Sequence, residues 1–239
     1  MTRQEFARKA KNLKKNRSRR AIGVNMVMAA LSLFVNGFGV YLTIAANIGA
    51  GPWDVLNLGL SKQFGILYGT ASVIVSYSIL GIDIGLREPI GIAMFIDAVV
   101  VGKAVDFFNM LHVVSPGKST IQGILIMILG LIIMAFTQYT YMSASLGCGP
   151  RDTLLVALTK RMKRIPIGAV SIGLLGTATF IGWLLGGPVG IGTIICAFAT
   201  GPIMQMVFKA VHFDATKIHH QHLVDSVGTV LSSSCSCKN

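Results

Sequence analysis

The chain has 239 residues, 53% of them hydrophobic and only 13% charged, with a mean hydropathy of +0.68. A soluble domain carries roughly 25% charged residues, so this composition excludes an ordinary water-soluble domain and makes a bilayer the expected solvent. The net charge is +12, and nine of the 21 Lys and Arg lie in the first twenty residues; beside an apolar run, such a cluster sets membrane orientation, and nucleic acid is not expected as a partner.

Residues 1–20 read as a basic cytoplasmic tail, and anionic lipid is the partner such a cluster attracts. The apolar run at 22–47 exceeds the roughly 7–15 residues of a signal-peptide core and is read as a retained first span. It ends at Gly49-Ala50-Gly51-Pro52, where glycine and proline interrupt a helix. The helical piece from Trp53 to Phe64 is too short to cross a core that needs about 20 residues. Spans are expected at 68–86 and 89–111. A polar loop follows, then a fourth span at 121–144, a second break at Gly147-Cys148-Gly149-Pro150 and a second short piece at 151–162. Spans at 167–185 and 188–211 complete the apolar part. The corresponding organisation is 21–111 as membrane repeat 1, 112–120 as connecting loop, 121–212 as membrane repeat 2 and 213–239 as a polar cytoplasmic tail.

The halves match each other. Gly49, Gly51, Pro52 and Asp54 align with Gly147, Gly149, Pro150 and Asp152 at an offset of 98. After one inserted residue the offset becomes 99, pairing Gly69 with Gly168, Ser72 with Ser171, Pro89 with Pro188 and Gly102 with Gly201. Three spans per unit is odd, so the second unit enters the membrane upside down. With both termini cytoplasmic, 18 of the 21 Lys and Arg fall on the inner side. The expected fold is therefore all-α and integral to the cell membrane, multi-pass. It has about six transmembrane helices as two inverted three-helix repeats, each with a Gly-Pro break and a short half or re-entrant helix.

In each break, proline suits the first helical position. Asp54 and Asp152 fall in the first turn, where N–H groups and the helix dipole favour a carboxylate. Two readings stay open: helix-start chemistry alone, or the two ends of a translocation route. The third span holds Asp97, Lys103 and Asp106. Ionised groups in lipid cost roughly 2.5–3.5 kcal/mol each, so these three are candidates for a substrate or ion path. Lys103 and Asp106 are spaced to pair on one helix face, and Asp83 is expected at the membrane interface. Their repeat counterparts, Cys196, Pro202 and Gln205, are uncharged. His219, His220 and His222 have no matching carboxylate pattern and read as part of a solvated tail. No Walker sequence, nucleophile–base arrangement or zinc-protease motif is present, so neither catalytic residues, a metal nor a cofactor is expected.

The doubled Gly-x-Gly-Pro-x-Asp signature at Gly49–Asp54 and Gly147–Asp152, with the later Pro-x-Gly-Ile segments, resembles the YczE/YyaS/YitT group of bacterial membrane proteins, over residues 22–211. The resemblance implies a bacterial multi-pass membrane protein and supplies no substrate or catalytic residue. The leading functional expectation is a transporter or permease-like protein working by alternating access on an unknown small molecule or ion. The alternative is a non-transporting assembly factor or regulator using its basic cytoplasmic face. A homo-oligomer is compatible with either.

Overall fold

A computed structural model describes residues 27–88, 92–143, 149–162 and 165–211. The expectations for residues 1–20 and 213–239, Pro89, Gly147, Cys148 and the three tail histidines lie outside that range. The described residues form eight helices and no strand. They are α1 (Val27–Ala45), α2 (Pro52–Phe64), α3 (Tyr68–Gly85), α4 (Ile92–Leu111), α5 (Thr120–Ser143), α6 (Pro150–Arg161), α7 (Ile167–Leu184) and α8 (Ile191–Ala210).

Five helices, α1, α3, α5, α7 and α8, are long and apolar enough to cross a membrane. Helix α4 has 20 residues but carries Asp97, Lys103 and Asp106, so on length and composition five helices qualify where about six were expected. The long helices are apolar on all sides, the pattern of helices that meet lipid outward and protein inward. Ile121 and Phe198 are each 74% exposed and Ile172 is 71% exposed, side chains that water would not tolerate in such numbers.

The elements recur between the halves. Helices α3 and α7 each have 18 residues, α4 and α8 each have 20, and the short α2 and α6 have 13 and 12. The residues before the short helices share one backbone conformation: Gly51 has φ −60°, ψ 154° and Gly149 φ −67°, ψ 160°. Both are extended, and the proline that follows fixes the first helical φ.

Packing is crosswise. Helix α2 lies against α7 and α6 against α3, while α3 also packs on α4 and α5 on α8. The crossings use missing side chains: a methyl on Gly182 of α7 would sit 2.5 Å from the Leu56 amide of α2. Such backbone approach increases van der Waals contact where lipid supplies no hydrophobic drive. The first break is pinned to the far half, since Gly192 N–H donates to Ile48 C=O at 2.8 Å. Gly49 has φ 112°, and a Cβ there would meet the Gly190 amide at 2.7 Å, so only glycine fits.

Asp83, two residues from the C-terminal end of α3, is fully buried in protein, and neither carboxylate oxygen has a hydrogen-bond partner among the described residues. One expectation is corrected. Lys103 and Asp106 form no ion pair among the described residues. Asp106 Oδ1 instead accepts the Gly69 N–H at 2.8 Å, serving the otherwise unpartnered first turn of α3.

Candidate functional site

Both breaks open onto one cavity of about 470 Å³ between the halves. The N-terminal turns of α2 and α6 both line it, and their first-turn carboxylates, Asp54 and Asp152, face it together with Asp97 from α4. Asn36, Gln138 and Ser72 add neutral polar groups, and α5, α7 and α8 supply an apolar wall that includes Leu131, Leu174 and Met204. A pocket of this volume with few convergent polar groups in an apolar wall is the usual form of a small-molecule site.

The site has an internal correspondence. At the first break, a methyl built on Gly51 would lie 2.9 Å from Asp54 Oδ2 and 4.0 Å from Cys196 Sγ. At the second, one on Gly149 would lie 3.8 Å from Asp152 Oδ2 and 3.0 Å from Asp97 Oδ2. Each break is thus faced by its own aspartate and by the same position of the other half's last helix, which is Cys196 in one case and Asp97 in the other. The residues after the two prolines meet at the centre: the Arg151 guanidinium stands 5.3 Å from the centroid of the Trp53 ring. A cation over a tryptophan face is attracted by the ring quadrupole, worth about 0.5–2 kcal/mol.

The two first-turn carboxylates are held differently. Asp54 is buried, and its Oδ1 accepts the Tyr68 hydroxyl at 2.7 Å; that hydroxyl also accepts from Asn57 Nδ2 at 3.3 Å. Among the described residues, Asp152 accepts one long bond, 3.4 Å from Gln138 Nε2, and is open to the cavity. Asp97 is half-buried and accepts no hydrogen bond from the described residues, among which Arg151 is the one cation on the wall. Three carboxylates around one guanidinium leave the lining acidic. Lys103 and Asp106 do not reach it.

One sequence signal that carried no weight beforehand is Tyr68, the first residue of α3, whose repeat counterpart is Ile167. A tyrosine at a helix start offers no motif; only the fold brings its hydroxyl to Asp54. Beside the C-terminal ends of α3 and α6, Glu88 accepts from Lys160 Nζ at 2.7 Å and from Arg161 Nη1 at 3.2 Å. These hydrogen bonds, the Lys160 bond foremost, hold the Glu88 carboxyl below its ordinary 4.5.

An all-helical bundle with apolar flanks and a polar central cavity defines a membrane-protein class rather than a soluble one. Residues 24–209 match a family of unknown function, DUF6198, and the chain belongs to it. The chain is 35% identical over 176 residues to the uncharacterized membrane protein YczE of Bacillus subtilis (strain 168), covering 72% of this chain and 80% of that one. It is 25% identical to an uncharacterized protein of Haemophilus influenzae (79% of this chain, 84% of that one). It is 24% identical to the uncharacterized protein YyaS of B. subtilis (77% and 92%). No solved structure matches.

Proposed function

We propose that the chain is an integral membrane carrier that moves a small cation or cationic solute by alternating access between two inverted repeats. The observation that carries this reading is the convergence of both Gly-Pro breaks, with Asp54, Asp97 and Asp152, on one cavity. Discontinuous helices meeting near the middle of a pseudo-symmetric bundle are the recurring construction of secondary transporter sites. The inverted-repeat reading draws on the equal lengths of α3 and α7 and of α4 and α8, the shared conformation at Gly51 and Gly149, the crosswise packing of α2 on α7 and α6 on α3, and the meeting of the equivalent residues Trp53 and Arg151.

In this reading α4 is the sixth span, its charges shielded by protein, and both termini are cytoplasmic. The acidic lining selects for positive charge, and Asp97, the cavity aspartate whose repeat counterpart, Cys196, is uncharged, is the coupling residue. The two short helices enter from opposite sides and end at mid-membrane, where their freed backbone groups face the cavity.

The test is flux in proteoliposomes. A panel of inorganic cations, amines, amino acids and neutral solutes is offered with and without a proton or sodium gradient. The proposal expects gradient-driven flux of a cationic solute that Asp97→Asn abolishes. Silence across the panel in a folded preparation, or flux unchanged in Asp97→Asn, contradicts it.

A further inference from the structure

The two halves differ at one place where their sequences are the same. In the first half, α3 and α4 close on a pair of glycines. A methyl on Gly102 would lie 2.8 Å from the Gly69 carbonyl oxygen and 3.1 Å from the Gly69 Cα. The contact is fastened by Asp106, which accepts the Gly69 N–H at 2.8 Å. The equivalent glycines of the second half are Gly168 on α7 and Gly201 on α8. A methyl on either would meet no described atom within 4 Å. The equivalent of Asp106 is Gln205, which stands exposed. The second half therefore keeps the residues of the closed contact without making it. The space between α7 and α8 is continuous with the central cavity, whose lining includes Ser171, Leu175, Thr200 and Gly201.

We propose that α7 and α8 are the inner gate of this cavity. In a second state of the chain, Gly168 seats against Gly201 and the Gln205 side-chain carbonyl receives the Gly168 N–H. That reproduces on the inner side the contact that Gly69, Gly102 and Asp106 hold closed on the outer side. The inference deepens the carrier reading and rests on its inverted repeats. It makes the structure here the inward-open state.

Two features fit a gate at this helix. Pro202 follows Gly201 inside α8, where it removes a backbone hydrogen bond and allows a bend; the first half has Lys103 there. A neutral amide oxygen is also a weaker acceptor than a carboxylate, so the inner contact is the weaker of the two. Finding the inner side open and the outer side shut follows from that difference.

The experiment is a distance measurement on the full chain in liposomes, with its four cysteines replaced by serine. Spin labels are placed at lipid-facing Ile172 of α7 and Met206 of α8, which are exposed. The proposal expects two populations, one at the separation of this structure and one shorter. Gly201→Leu, whose Cβ meets no described atom within 4 Å here, abolishes the shorter one, and Gln205→Leu depletes it. A single population, the same in parent and both variants, overturns the gate.

If the cysteine-free chain does not fold, hydrogen exchange of the unlabelled chain replaces the distance reading. Residues 167–171 then exchange faster in both variants than in the parent, and equal rates overturn the proposal. Two populations with no flux in any panel would leave the gate standing and remove the carrier; flux with one population would do the reverse.

Discussion

Alanine at the four equivalent glycines is expected to separate the two halves by stability. A methyl on Gly69 would collide with the Gly102 carbonyl oxygen and the Asp106 carboxylate, so α3 and α4 must move apart. Overpacking of this kind costs about 1–3 kcal/mol. The movement also lengthens the Gly69 N–H bond to a carboxylate, a class worth about 1.5–3 kcal/mol, for a combined loss of roughly 2.5–6 kcal/mol. Gly168→Ala meets nothing within 4 Å and gains about 0.5–1 kcal/mol from helix propensity. At about 2–4 °C per kcal/mol for a chain of this size, Gly69→Ala unfolds roughly 5–24 °C below the parent, and Gly168→Ala at or slightly above it. Thermal unfolding in mild detergent, followed by helical circular dichroism, reads the difference. Equal shifts in Gly69→Ala and Gly168→Ala would refute the reasoning, because they would mean that the two pairs occupy the same environment.

Tyr68→Phe leaves the buried Asp54 without its hydroxyl donor and is expected to cost about 1–3 kcal/mol in unfolding free energy; a loss under about 0.5 kcal/mol would show that the bond is not held. Asp83→Asn replaces a buried carboxylate that has no partner, so it is expected to raise the unfolding temperature, and a lowered one would contradict the burial described here. A carboxyl whose folded-state pKa is depressed contributes stability above its unfolded value and loses it as pH falls through the folded one. Glu88 is such a group, and its cations, Lys160 and Arg161, have side chains 58% and 44% exposed, so the clamp is worth only about 0.2–1 kcal/mol. The parent should exceed Glu88→Gln by that amount at pH 7, with the gap closing as pH falls below 4.5; a gap that widens in acid would reverse the sign.

The helix pattern was legible because a bilayer imposes long uncharged runs, and because glycine with proline stops a helix whatever surrounds it. The breaks at Gly51-Pro52 and Gly149-Pro150 fall where the short helices begin. Asp54 and Asp152 stood out through the doubled Gly-Pro break and Asp97 through its place in an apolar span, and all three line the cavity. The same argument does not separate Asp106 from Asp97, since both are charges in one helix; only the packing of α3 shows that Asp106 is occupied by the Gly69 amide. Asp83 and Tyr68 were not legible in their roles, because burial and partnership depend on which helix lies opposite. The difference between the Gly69–Gly102 and Gly168–Gly201 pairs is not legible from the glycines themselves, since those residues are identical and the spacing of the helices differs.

The central claim is that a polar, water-filled cavity lies between the two halves while the outer faces of the same helices meet lipid. Thr200 of α8 lines the cavity, and Phe198, two residues away on that helix, is 74% exposed on the apolar surface. In a cysteine-free background in intact membranes, Thr200→Cys and Phe198→Cys are each treated with a charged, water-soluble methanethiosulfonate. The account predicts rapid modification at position 200 and little at 198. Equal protection of both positions would mean a dry, closed interior and would contradict it.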